Sequence, residues 1–255
     1  MKVAVCVSGI CRGNVRRNME IVKNIFELND KDFFYSTWKG REEDCEKENI
    51  KDFYVFDEPQ INYHPLADVP EEVMIPTKKM WDLRERCKRE PFIRDRFAKF
   101  TKQIIGHSYL LKEVPDEYDM IIRIRYDTFV SKRVKKELND WLKESYEKNK
   151  AVGFGTRTSR HKRLDMLYSI PKIWDERWRY LGVSNDWGGF IMDPMIFHPR
   201  RMFNHKLMWR LHNSKSLMIA ECGWYQILSK PYGDNHESIY GGAQIEKYLK
   251  DTLGW

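Results

Sequence analysis

Residues 1–56 alternate short apolar runs with helically spaced segments, and that order constrains the fold more than any other feature of the chain. Lys2 to Ser8 (KVAVCVS) is a compact run of β-branched and small apolar residues that stops at Ser8-Gly9. Such a run suits a strand buried on both faces. Val15 to Leu28 has helical spacing, with Val15, Met19, Val22, Ile25 and Phe26 on one face. Asp32 to Thr37 (DFFYST) reads as a second strand, broken by Trp38-Lys39-Gly40. Arg41 to Asn49 reads as a charged helix and Asp52 to Phe56 (DFYVF) as a third strand. This β-α-β-α-β opening predicts an α/β domain with a mostly parallel, Rossmann-like central sheet flanked by helices.

The remainder extends the pattern. Asp57 to Pro76, with Pro59, Pro65, Pro70 and Pro76, reads as a loop, either functional or a plain insertion. Met80 to Leu111 is helical with a break near Pro91, and Tyr118 to Arg125 (YDMIIRIR) is a fourth strand. Val134 to Tyr146 is a helix, Ala151 to Gly155 a short strand, and Ser184 to Met192 contains another. Pro194 to His212 and Ile219 to Ser229 are expected to be helical. With no repeat, low-complexity tract or clear linker, residues 1–255 read as a single domain.

Composition narrows the class. Apolar residues make up 42% and charged residues 33% of the chain, which argues against wholesale disorder. The formal net charge of +7 favours anionic partners. Lys and Arg nevertheless interleave with Asp and Glu along most helical stretches, so no continuous basic face points to nucleic acid. The local basic clusters are Arg12–Arg16–Arg17, Arg84 to Arg96, Arg157–Arg163 and Arg200–Arg201. The five cysteines are odd in number, irregularly spaced and contain no CxxC, which argues against a disulfide framework or structural zinc. Reduced thiols and a cytoplasmic location are the expectation. The N-terminal apolar run is too short for a signal peptide, and no stretch approaches the roughly 18 apolar residues of a membrane span.

In open α/β sheets, ligands bind beyond the carboxyl ends of the strands. The first strand ends in Ser8-Gly9-Ile10-Cys11-Arg12-Gly13. Glycines there permit close backbone approach, the following helix start attracts phosphate, and Arg12 can pair with it. The turn matches neither the P-loop nor GxGxxG. Trp38, at the end of the second strand, either stacks on a ligand or packs. On the fourth strand Arg123, Arg125 and Asp127 alternate, which predicts one shared face. Buried charges are costly without partners, so these three point either to a phosphate or metal-phosphate site or to a structural ion-pair network. Asn185-Asp186-Trp187-Gly188-Gly189 supplies a further carboxylate, Asp186, beside two glycines. Glu221, near the start of the last long helix, is a second carboxylate candidate. His198, His205 and His212 recur every seven residues and read as structural.

Taken together these residues resemble the nucleotide-diphospho-sugar glycosyltransferases of the A-type fold, in a bacterial and viral polysaccharide-type branch. The likeness runs through Ser8-Gly9-Ile10-Cys11-Arg12, Asp32 to Trp38, and Tyr118 to Asp127 (YDMIIRIRYD). It continues through Asp186 to Met202 and Glu221. It implies transfer of a sugar from a nucleoside-diphosphate sugar to a glycan or other hydroxyl acceptor. Residues 1–130 would form the donor half and 131–255 the acceptor and catalytic half. Ser8, Gly9, Arg12, Trp38, Arg123, Arg125 and Asp127 would hold the donor, with Asp186, or else Glu221, as general base. Many such enzymes carry Asp-x-Asp at this strand end to hold Mn²⁺ or Mg²⁺; here it reads Arg125-Tyr126-Asp127, so that either Arg125 replaces part of the ion's charge or Asp127 is the metal ligand alone. The competing readings are another phosphate-handling transferase, or a degenerate, inactive transferase fold that only binds nucleotide or polyanion.

Overall fold

A computed structural model describes residues 1–27, 30–61, 64–68, 78–128, 130, 132–154, 193–203, 205 and 220–228. The strands are β1 (Val3–Ser8), β2 (Lys31–Trp38), β3 (Tyr54–Phe56), β4 (Met120–Ile124), β5 (Val152–Phe154) and β6 (Met195–Pro199). The α-helices are α1 (Val15–Ile25), α2 (Glu42–Lys47), α3 (Pro65–Asp68), α4 (Lys78–Arg89), α5 (Pro91–Glu113), α6 (Lys135–Glu147) and α7 (Ala220–Leu228). Short 3₁₀ turns cover Lys132–Val134 and Arg200–Met202.

The strands form one six-stranded sheet in the order β3-β2-β1-β4-β6-β5. β3, β2, β1 and β4 run parallel, while β6 is antiparallel to both β4 and β5. The expected mostly parallel α/β sheet is therefore present. All six residues of β1 are buried, as the unbroken apolar run requires of a central strand covered on both faces.

Alternation along the strands divides the core. Val3, Val5 and Val7 of β1 and Met120, Ile122 and Ile124 of β4 face Val15, Met19, Val22 and Ile25 of α1 and Leu138 and Leu142 of α6. The intervening residues, including Arg123, face the opposite layer, where α5 packs on β1 and β2 and against α7. Pro91 occupies the first turn of α5 and divides it from α4, where its missing N–H costs nothing. No helix among the described residues is long and apolar enough to cross a membrane. Cys6, Cys11, Cys45 and Cys87 are buried free thiols.

One expectation is overturned. Met195–Pro199, read as part of a helix, is β6, and Arg200–Met202 continues it as a single 3₁₀ turn. Proline at 194 and 199 brackets a four-residue run, three of it apolar, too short for its period to separate strand from helix. Its pairing with β4 decides the matter. The strand expected within 184–192 lies outside the described residues.

Candidate functional site

From β1 the chain proceeds to β2 and β3 on one side of the sheet and then crosses to β4 on the other. The carboxyl ends of β1 and β4 therefore flank the point where the winding reverses, and a crevice opens there in sheets of this kind. Arg12 reaches it from the turn after β1, and Arg125 and Asp127 from the turn after β4.

The β1 turn depends on two glycines. Gly9 (φ +114°) and Gly13 (φ +86°) occupy the left-handed region that side chains disfavour. Gly13 lies beside Asp127; a Cβ there would be in ordinary contact with the Asp127 Cβ at 3.9 Å, so its positive φ, not lack of space, calls for glycine. Ser8 is buried, and its hydroxyl has no hydrogen-bond partner among the described residues. The helix start was expected to attract phosphate, but the Arg16 backbone N–H at the start of α1 donates to Glu48 Oε2 at 2.8 Å. A carboxylate already occupies that amide, so positive charge at this corner comes from side chains. Beneath the turn, a hydrogen bond with Cys11 pulls the Cys45 thiol below its ordinary range. Cys45 Sγ lies 3.8 Å from the Tyr126 hydroxyl, which donates to the Ser36 carbonyl at 3.1 Å.

On the other side, β4 ends at Ile124, so Arg125 and Asp127 sit in a turn rather than on the strand. That turn is pinned from β6. The Arg125 N–H donates to the Pro194 carbonyl at 3.2 Å, and the Thr128 hydroxyl donates to the same oxygen at 2.7 Å. Arg125 then grips Asp127 with both edges matched, Nε to Oδ1 and Nη2 to Oδ2, each at 2.8 Å. Its remaining nitrogen, Nη1, donates to Asp193 Oδ2 at 3.1 Å. Arg12 adds Nε and Nη2 bonds to Asp127 Oδ2, at 3.3 and 3.2 Å. The result is a chain of alternating charge, Arg12–Asp127–Arg125–Asp193. Burial alone would raise the Asp127 carboxyl, but the bonds from Arg125 and Arg12 outweigh it and hold it below the ordinary carboxylate range. Burial likewise opposes the Arg125 charge, and Asp127 and Asp193 overcome it, so Arg125 stays cationic.

Arg123 takes a different place from its two sequence companions. It is fully buried on β4, facing α5 and α7. It donates to the Asp193 backbone carbonyl and, at 3.2 Å, to Gln103 Oε1, and its guanidinium carbon lies 4.7 Å from the Trp224 ring centre. Burial pulls its pKa down to about 10. It underpins the Asp193 backbone from inside, while Arg125 holds the Asp193 side chain from outside. Trp38 is 4% exposed and packs its ring against Gly106 of α5. Asp186 and Arg157–Arg163 lie outside the described residues. Glu221 falls in the first turn of α7, and its side chain is outside what the structure describes.

The histidines read as structural do not share one helix. His198 is on β6, where its Nε2 lies 3.3 Å from His107 Nε2, and His205 Nδ1 lies 2.6 Å from Ser108 Oγ. His212 is outside the described residues. Sequence reading missed Asp193, Gln103, Thr128 and Trp224 as partners of the site. The one available signal was Asp193-Pro194, a turn-favouring dipeptide at the boundary between the strand expected within 184–192 and the helix expected from Pro194.

A divalent ion fits these residues poorly. Asp127 Oδ2 accepts three N–H bonds and Oδ1 one, so two guanidinium cations already neutralise and surround the carboxylate. No group of three His, Cys, Asp or Glu among the described residues could hold a metal ion.

No protein-family model matches the chain, and no curated protein matches it. Among solved structures, it is similar to a 4-diphosphocytidyl-2C-methyl-D-erythritol synthase from Anaerococcus prevotii DSM 20548. That match has a TM-score of 0.40 and 10% identity over 98% of this chain and 84% of that one. It is also similar to the apo form of mouse xyloside xylosyltransferase 1, with a TM-score of 0.43 and 8% identity over 89% and 80% of the two chains. Neither likeness is close enough to carry an argument about substrate or chemistry.

Proposed function

We propose that this chain is a glycosyltransferase that uses a nucleoside-diphosphate sugar, with the donor diphosphate seated against Arg12 and Arg125. The observation that carries the reading is the meeting of these two guanidinium groups at the crevice between the ends of β1 and β4. A guanidinium has five N–H donors. Arg12 gives two of them to Asp127, and Arg125 gives three to Asp127 and Asp193, so both keep donors for phosphate oxygens.

In the proposed reaction the bond from the anomeric carbon to the diphosphate oxygen breaks, and negative charge grows on the departing nucleoside diphosphate. Arg12 and Arg125 stabilise that charge, because fixed donors aimed at developing charge act without reorganising. An acceptor hydroxyl attacks the anomeric carbon. If the reaction inverts configuration, a carboxylate takes the hydroxyl proton. Asp186 is the proposed base and Glu221 the second choice. Asp127 is unsuited to that role, since both its oxygens are engaged by guanidinium groups. The same saturation favours one second reading, a nucleotide- or polyanion-binding protein on a degenerate transferase fold.

The test is a thermal-shift and hydrolysis screen of UDP-, GDP-, CDP- and dTDP-sugars. The expected result is stabilisation by one donor class with slow release of its nucleoside diphosphate. Stabilisation without release supports the binding protein, and no response to any donor overturns the transferase.

A further inference from the structure

Resting on the reading of a nucleoside-diphosphate donor, we infer that the site binds the diphosphate without a divalent metal ion, Arg12 and Arg125 supplying the positive charge.

Arg125 occupies the first position of what would be Asp-x-Asp in the proteins the sequence resembles, and its side chain does more than remove a ligand. It spans Asp127 and Asp193, the two carboxylates that the described structure brings to this corner. Its Nε and Nη2 take Asp127 and its Nη1 takes Asp193. A cation approaching Asp127 meets one oxygen holding a single N–H and another holding three. It also meets two fixed positive charges at hydrogen-bond distance from its intended ligand, and like charges this close disfavour its binding. A diphosphate meets the opposite field. Arg12 has 64% of its side chain exposed, so its unused N–H groups face solvent, and the planar fork of a guanidinium matches phosphate oxygens in pairs. Asp127 thus aligns the two arginines and leaves metal ligation aside. Arg125 remains charged across the working pH range, which a substitute for a metal ion must do.

The test is isothermal titration of the full chain with UDP, GDP, CDP and dTDP, in buffer containing EDTA and again with Mn²⁺ or Mg²⁺. The expected result is that at least one nucleoside diphosphate binds in EDTA, with an affinity changed less than threefold by either metal. Binding that requires a metal, or tightens more than threefold with it, overturns the inference and leaves the donor reading intact. Binding under neither condition overturns the donor reading together with the inference. Two further readouts separate the parts. Arg12→Ala, at an exposed position, is expected to weaken binding in EDTA at least tenfold, and unchanged affinity would remove Arg12 from the site. Free Mn²⁺, followed by its electron paramagnetic resonance signal, is expected to stay unbound by the protein alone; stoichiometric loss of that signal would overturn the inference.

Discussion

Arg12 and Asp127 are 115 residues apart in the chain and are joined by two hydrogen bonds, 3.2 and 3.3 Å long, to a single carboxylate oxygen. Arg125 holds both oxygens of the same carboxylate. One aspartate therefore fixes the spacing and direction of two guanidinium groups that would otherwise repel.

Replacing Asp127 tests that arrangement. Asp127→Ala leaves two neighbouring cations without their shared anchor, and nucleoside-diphosphate affinity is expected to fall at least tenfold. Asp127→Asn, which keeps one acceptor oxygen, should lose less. Titration calorimetry reads both, with far-UV circular dichroism showing that the fold persists. Full-strength binding by the alanine variant would remove Asp127 from the site.

Arg123 should behave as an interior residue. Arg123→Ala opens a cavity beside Trp224 and frees the Asp193 carbonyl and Gln103, so a loss of about 2–5 kcal/mol is expected. Arg123→Met fills the volume and removes a buried charge, an exchange that is often neutral or stabilising. Urea unfolding compares the two. Equal losses would show that the charge matters more than the volume.

Gly106 is expected to resist substitution despite lying within a 23-residue helix. Alanine there would gain about 1 kcal/mol of helix propensity. Its Cβ, however, would stand 3.0 Å from two ring carbons of buried Trp38, and overpacking of this kind costs about 1–3 kcal/mol. A net destabilisation is predicted in thermal unfolding. A stabilised Gly106→Ala would mean that the indole can slide aside.

Stability should decline in mild acid. The Pro199 carbonyl lies 3.0 Å from His198 Nδ1 and can only accept, so the proton sits on Nδ1 and the bare Nε2 accepts from His107. Burial pushes His198 down to about 4 and His107 well below the ordinary range, the latter helped by neighbouring His198, Arg123 and His205. The unfolded chain takes up these protons near pH 6.5, before the folded protein does. Stability is therefore full above about pH 6.5 and falls as pH drops towards 4, with His198 alone contributing a loss on the order of 3 kcal/mol. Urea midpoints between pH 7.5 and 4.5 measure this. His198→Asn should flatten the slope, and an unchanged slope would rule out His198 as its source.

The parallel half of the sheet was legible because β1, β2 and β4 carry unbroken or nearly unbroken apolar runs punctuated by Gly, Trp-Lys-Gly and Tyr-Asp. β6 was not, because Met-Ile-Phe-His is equally at home in a buried helix and only its pairing with β4 distinguishes the two. Within the candidate site, the alternation of Arg123, Arg125 and Asp127 pointed to one shared face at the end of the fourth strand. That alternation could not reveal that β4 stops at Ile124, leaving Arg123 inside and the other two in a turn. Asp193 escaped notice because its partners, Arg123 and Arg125, are some 70 residues away and neither contact leaves a local pattern.

The central position of β1 has a consequence for synthesis. Val3 pairs with Lys31 on one side and with Met120 on the other. A ribosome therefore releases this strand long before its second neighbour exists, and one edge of six residues buried in the folded protein stays open while more than a hundred others are made. An open edge of that kind invites pairing with other chains. The nascent protein should thus depend on chaperone protection until β4 emerges, and a deletion of residues 1–8 would split the sheet through its middle instead of trimming its margin.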